Sequence, residues 1–158
     1  MIESSVVNLD DSDLAILKVL QQSGRIRNVE LAEKICLSPP ATHARVKRLE
    51  ELGVIKGYAA HVERSKVGHD CLCFITVSLE LHQPENMRAF LDAIQTLPQV
   101  LECHHLTGNY DYLLKVLVRN NRDLEDFISN TLVPMPGISR LSTSVVLREI
   151  KSNTALDL

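Results

Sequence analysis

The sequence predicts an α+β protein in two parts, an N-terminal winged helix-turn-helix followed by a C-terminal ferredoxin-like βαββαβ domain. Three observations predict it. Leu31 to Gly57, LAEKICLSPPATHARVKRLEELGVIKG, reads as two short helices joined by a tight turn, with a cap before the second and a stop after it. From Cys71 the rhythm changes, with Cys71, Cys73, Ile75, Val77, Leu79 and Leu81 at alternate positions, the period of a strand with one buried face. The segments that follow alternate in the order strand, helix, strand, strand, helix, strand.

Met1 to Asn8 reads as a frayed arm. Asp10 or Asp11 caps a first helix carrying Ile16, Leu17 and Leu20, which stops near Ser23-Gly24. Leu31, Ala32 and Ile35 form the apolar stripe of the second helix, and Cys36-Leu37 make the turn. Ser38 offers an oxygen to orphan amides, and Pro39 fits a first helical position, where no amide donor is needed. Thr42, Val46 and Leu49 put one face of the third helix inward, and Gly53 ends it in a left-handed conformation. Val54 to Val62 reads as a strand or wing, and the polar Glu63 to Asp70 as a linker. The predicted division is therefore a domain over 1–62, a linker over 63–70 and a second domain over 71–158.

In the second domain Pro84 opens a helix with Met87, Phe90, Leu91, Ile94 and Leu97 inward. Val100 to Thr107 is the second strand, Thr107 to Tyr110 a turn, and Tyr112 to Val118 the third strand. Asn121 to Leu132 is a helix with Leu124, Phe127 and Ile128 inward, Pro134 to Gly137 breaks the chain, and Ile138 to Leu147 is the last strand. Two helices cover one face of such a sheet. Leu72, Phe74, Leu113 and Leu117 fall on the other, which a second copy of the domain is expected to cover.

The chain has 158 residues, room for one ordinary domain or two small ones, and 45% of them are hydrophobic, as in a folded soluble protein. No apolar run is long enough to span a membrane, and the N-terminus lacks the pattern of a signal peptide. A cytoplasmic protein is expected, with Cys36, Cys71, Cys73 and Cys103 as reduced thiols. The net charge is −3, but Arg25 to Tyr58 holds seven basic residues against four acidic, and residues 65–158 hold eight against eleven. A basic front and an acidic back suit a DNA reader joined to a domain with another task. The excess is small, so one copy should bind weakly and two linked copies are needed.

The candidate DNA-binding residues are Ser38, Pro40, Ala41, His43, Ala44, Arg45, Lys47 and Arg48. The three cations alone fit any solvated helix. The whole unit, with cap, turn and stop, fits the major groove, with Arg45, Lys47 and Arg48 on phosphates or bases and His43 and Ala41 nearest the base edges. Cys103-His104-His105 beside Cys71 and Cys73 invites a metal reading. Consecutive strand residues point to alternate faces, however, and the cysteines read as small buried apolar groups, so no metal ligand is expected. No Cys/His pair has a group to orient a base, and no glycine loop could cradle phosphate; no catalytic residue and no cofactor are expected. Asp111 has two readings. It caps local amides in its turn, or it pairs with the ammonium of a ligand whose carboxylate meets turn amides near Gly108 and Asn109.

The residues Leu9-Asp10-x-x-Asp13, Gly24-Arg25-Ile26, Glu30-Leu31-Ala32-Glu33, Leu37-Ser38-Pro39, Arg45-Val46-Lys47-Arg48-Leu49-Glu50 and Gly53 to Tyr58 resemble the Lrp/AsnC family of bacterial and archaeal regulators. So do Glu102-Cys103, Thr107 to Leu114 and Val145 to Lys151 in the second half, so the resemblance covers Leu9 to about Asp157. It implies a sequence-specific transcriptional regulator on double-stranded DNA, a homodimer through its C-terminal domain that assembles further to tetramer or octamer, and a response to an amino acid or similar small metabolite. It also implies an effector crevice between two C-terminal domains, with His105, Thr107, Gly108, Asn109, Asp111 and Ser144 at the matching positions. On that reading Asp111→Ala keeps the fold and loses the effector response. The chain departs from the family at Ala44, where members often carry a second basic residue, and at Pro40-Ala41-Thr42-His43, which would set an operator of its own. Two alternatives stand beside it: a nucleoid-structuring protein that wraps DNA with little sequence preference, and a ferredoxin-like enzyme, against which no acid, base and nucleophile converge.

Overall fold

The computed structural model describes residues 6–80 and 84–158. Leu81, expected to extend the first strand's alternation, and Met1 to Ser5 of the expected arm lie outside the described residues. Among the described residues no helix is long and apolar enough to cross a membrane.

The chain forms two units, one running to His61 and taking in Lys151–Leu158, the other Val62–Ile150. The first holds α1 (Asp11–Gln22), α2 (Asn28–Lys34) and α3 (Pro39–Glu51). Asp10 is the cap of α1, its carboxylate accepting the amide of Asp13 at 2.9 Å while Asp13 accepts the amide of Asp10 at 3.3 Å. This reciprocal box satisfies two donors that helix geometry leaves orphaned. Ile16, Leu17, Leu31 and Leu49 make the core, with Val46, Ile55 and Leu158 against it. Gly53 adopts φ +69°, the left-handed stop its position demanded.

Two features of this unit differ from the sequence reading. Val54 to Val62 forms no strand ladder. The amides of Val54 and Ile55 close onto the carbonyl of Leu49, finishing the helix, and among the described residues no second strand lies alongside the rest. Residues 151–158, assigned from the sequence to the second domain, lie with the first unit instead. The Gln21 side chain donates to the carbonyl of Leu156 at 3.1 Å and accepts its amide at 2.6 Å, a sheet-like rung made by one side chain. Such a long-range rung leaves no local sequence signal.

The second unit contains β1 (Cys71–Leu79), α4 (Pro84–Thr96), β2 (Val100–His105), β3 (Tyr112–Val118), α5 (Asn121–Phe127) and β4 (Ile138–Val145). The expected linker contributes a short 3-10 turn, Arg64–Val67, closed by Gly68. The expected single helix to Leu132 changes after α5 into a wider π turn over Ile128–Leu132, and Val133 donates to the carbonyl of Ile128. The sheet runs β2-β3-β1-β4, with every pair antiparallel. Placing the sequential first and third strands at the centre is the ferredoxin-like arrangement.

One face of the sheet is covered by α4 and α5. Cys71, Cys73, Ile75 and Val77 of β1 and Tyr112, Leu114, Val116 and Val118 of β3 pack there against Phe90, Ile94, Leu124 and Phe127. Met87, expected inward, is exposed on α4. The opposite face carries Phe74, Leu113 and Leu117 together with Lys115, Thr76 and Ser142. Phe74 is 36% exposed there. Both helices lie on the other side of the sheet, so this face stays open around Phe74, although Leu72, expected on it, is already buried in the single chain.

Candidate nucleic-acid interface and effector turn

The start of α3 is built by three residues. Ser38 is extended, and its hydroxyl accepts the amide of Ala41 at 3.4 Å. Pro39 and Pro40 occupy positions where no amide partner exists to be lost. Asn28 at the start of α2 donates to the carbonyl of Pro39 at 2.8 Å, tying the two helix starts together. Thr42 and Leu49 are buried on the inner side. The outer side therefore presents Pro40, His43, Ala44 and Lys47 at the spacing of one helical face, with Ala41 and Arg48 flanking, and all six are exposed. Short side chains at the N-terminal end let such a helix approach base edges closely.

The three cations fall into different settings. Lys47 points outward and pairs with Glu51 one turn on at 3.5 Å. Arg45 turns toward α1. Its Nη1 lies 2.9 and 2.8 Å from the two oxygens of Asp10 and 2.8 Å from Asp13 Oδ1. Arg48 Nη1 reaches Asp13 Oδ2 at 3.1 Å. The Asp13 side chain is only 1% exposed, so its charge is compensated by two guanidinium groups. The Asp13 amide and then the Arg45 guanidinium hold the Asp10 carboxyl below its ordinary value, and Asp10 and then Asp13 raise Arg45. Arg45, expected with Lys47 and Arg48 on phosphates or bases, is thus paired with two carboxylates of α1 and its cap in the unbound chain. Its partners lie 35 and 32 residues earlier, beyond any local pattern. Asp10 and Asp13 belonged to the recognised motif, and opposite charge across α1 and α3 was the available signal. Nearby, Tyr58 donates to Glu50 at 2.9 Å, and burial followed by that carboxylate pushes its hydroxyl up to about 12.

In the second unit, Thr107, Gly108, Asn109 and Asp111 come together in the turn between β2 and β3. Gly108 takes φ +130°, which side chains disfavour. Asp111 Oδ2 accepts the amide of Leu79 at 2.7 Å, its own amide donates to Val77, and its carbonyl accepts the amide of Leu106. The carboxylate therefore seals the end of β1, 32 residues away in sequence, rather than amides of its own turn as the capping reading of Asp111 expected. The expectation that alanine here leaves the fold untouched is corrected accordingly, because that substitution strips a backbone donor of its partner. Tyr110 lies under the Arg140 guanidinium, 5.3 Å from ring centre to Cζ, a contact the sequence reading missed.

His105 and Ser144 do not join this turn from one side. His105 stacks on Tyr112 at 4.9 Å, on the helix-covered face. Ser144 is paired with Phe74 on the open face. They stand on the two outer strands, β2 and β4, three inter-strand steps or roughly 14 Å apart. The expected Cys-His-His split occurs too. Cys103 pairs with Leu114 and His105 with Tyr112 on one face, and His104 with Leu113 on the other. Glu102 accepts Lys115 at 2.9 Å and lies 3.0 Å from His104 Nε2, and these partners, Lys115 first, hold its carboxyl down. Burial pushes the Cys73 thiol up to about 11. Among the described residues no group of three His, Cys, Asp or Glu is placed to hold a metal ion. A cavity of about 600 Å³ lies at the other end of the sheet, bordered by His69, Gln99, Leu101, Arg119 and Phe127. At the Asp111 turn Thr107, Gly108 and Asn109 are exposed and Tyr110 and Asp111 half-buried, so donors and a charge lie together near the surface.

Comparison with known proteins adds the wider context. A family model described as the Lrp/AsnC ligand binding domain matches residues 72–156, and one described as winged helix-turn-helix DNA-binding matches residues 9–56. The transcriptional regulator AzlB of Bacillus subtilis is 37% identical over 150 residues, covering 95% of this chain and 96% of that protein. The leucine-responsive regulatory protein of Escherichia coli K12 is 37% identical over 149 residues, covering 94% and 91%. Among solved structures, a transcriptional regulator from Neisseria meningitidis in complex with L-Met superposes with a TM-score of 0.92 at 37% identity, over 95% of this chain and 97% of that one. Escherichia coli AsnC does so with a TM-score of 0.86 at 28% identity, over 94% and 98%.

Proposed function

This chain belongs to the Lrp/AsnC family of transcriptional regulators, and on that premise we propose that it reads its operator with the outer face of α3 and senses a free amino acid at the turn ending in Asp111. One observation carries the DNA reading: the exposed stripe of Pro40, His43, Ala44 and Lys47 on a capped helix whose opposite side is core. Ser38, Pro40, Ala41, His43 and Ala44 face the groove, and Lys47 and Arg48 reach phosphates along its edge. Arg45 is held by Asp10 and Asp13 in the unbound chain. Lys47→Ala is expected to weaken operator binding about three- to tenfold and to flatten the salt dependence by about one unit. Fluorescence titration of the operator at several salt concentrations measures both, and parental values for both refute the assignment.

For sensing, the neighbour from Neisseria meningitidis is a complex with L-Met, so an amino acid is the ligand class to propose. Asp111 offers an anion to the ammonium, and the Thr107 to Tyr110 turn offers amides to the carboxylate. His105 and Ser144 enter the site from different copies, since one chain carries them on opposite edges of its sheet. A homodimer, closed over the open face of Phe74, Leu113 and Leu117 and assembling further, supplies that second copy. The relatives named above are transcriptional regulators, and the same reading holds for this chain, with no catalytic step.

Asp111→Asn separates the two roles of that carboxylate. It keeps an oxygen for the Leu79 amide and removes the charge, so the parental melting temperature is expected together with at least tenfold weaker amino-acid binding. Asp111→Ala is expected to lose the binding and also about 1–3 kcal/mol of stability. A thermal-shift screen of the twenty amino acids, then titration of both variants, tests this. Parental affinity in Asp111→Asn places the ligand elsewhere.

A further inference from the structure

We propose that Asp10 is a built-in competitor for DNA phosphate at Arg45, and thereby sets how well the protein distinguishes its operator from random DNA. The inference rests on the reading of α3 given above. The side-chain hydrogen bonds of Arg45 among the described residues run through Nη1, to two carboxylates of unlike character. Asp13 is 1% exposed and also holds Arg48, so it stays in place. The Asp10 side chain is 55% exposed, and Arg45 is 30% exposed. A solvated ion pair of this kind is weak and screened by salt, so a phosphate oxygen brought to the same guanidinium can displace it. On the operator, where the recognition helix seats fully, a phosphate arrives within reach and Asp10 yields. On random DNA, where the helix seats shallowly, Asp10 keeps the guanidinium neutralised and one phosphate contact is withheld. Withholding it raises the specificity ratio rather than the affinity.

A second observation points the same way. As the cap of α1, Asp10 needs only an oxygen for the Asp13 amide, and asparagine caps as well as aspartate does. Its negative charge is thus surplus to capping, while both of its oxygens lie on Arg45.

The test uses the full chain with Asp10→Asn, which retains the cap oxygen. The expected result is an unchanged melting temperature, random-sequence duplex bound about three- to tenfold more tightly, and a salt slope steeper by about 0.9 per copy. Adding Arg45→Ala should cancel the gain. Asp11→Asn removes the same charge one residue away, where no contact with Arg45 exists among the described residues, and should leave random-DNA binding as in the parent. Parental affinity and slope in Asp10→Asn overturn the proposal. So does a gain that survives Arg45→Ala, or an equal gain in Asp11→Asn. Lys47→Ala is titrated alongside. If it binds as the parent does, the α3 reading falls and takes this proposal with it. If it is weakened while Asp10→Asn is silent, the competitor role alone fails.

Discussion

Replacing Asp13 by alanine is expected to cost the three-helix unit about 2–3 kcal/mol and to abolish operator binding, while the sheet of the second unit stays folded. Asp13 is buried, and its carboxylate receives Arg45 from one side and Arg48 from the other. Removing one member of a buried pair typically costs about 3–5 kcal/mol, because the remaining charges are left uncompensated. Both arginines are partly in water and recover some hydration, which brings the figure down. The lost capping-box partner of Asp10 adds to it. For a unit this small the shift in melting temperature is on the order of 10 °C or more. Hydrogen exchange provides the check. Amides of α1 and α3 should lose protection while those of β1 and β3 keep it. Parental protection in α1 and α3 would contradict the role assigned to this carboxylate. Asp13→Asn, with the same shape and no charge, should fall between the two.

The second large effect concerns assembly. Phe74→Asp is expected to convert the proposed dimer to monomer at micromolar concentration. Phe74 stands in the middle of the open face, on a central strand and opposite Ser144 and Lys115. In a two-fold interface each substitution counts twice. Losing an aromatic contact and desolvating a carboxylate on both sides amounts to roughly 4 kcal/mol, or about a thousandfold in dissociation constant. Operator affinity should fall with it, since each recognition helix alone makes few phosphate contacts. Sedimentation equilibrium of the variant decides. If it sediments like the parent, the open face is not where two copies meet.

Much of the fold was legible because its signals are local. Asp10, Ser38-Pro39 and Gly53 mark helix ends through hydrogen bonds made within four residues, and alternation in β1 and β3 reports one buried face directly. What escaped depends on distant partners. Val54 to Val62 has strand-like composition and no neighbouring strand to bond. Met87 has helical spacing yet lies at the exposed edge of its helix's apolar stripe. The candidate site divides along the same line. The Thr107 to Asp111 turn is contiguous and was found whole. His105 and Ser144 were grouped with it, although the face and edge each occupies follow from strand order and register, which no short segment encodes. Arg45 carried the right charge for DNA, and only the fold brings Asp10 and Asp13 to it.

The rung between Gln21 and Leu156, with Leu158 seated in the first core, has a consequence for synthesis. A ribosome makes α1 to α3 first and residues 151–158 only after the entire sheet. Until then Gln21 has no rung to make and the place of Leu158 is empty. The helical unit is thus completed only after the sheet, although it is begun first. A chain cut short after β4 would carry a helical unit without Leu158 against its core and without the Gln21 rung, so residues 151–158 close the unit that α1 opens.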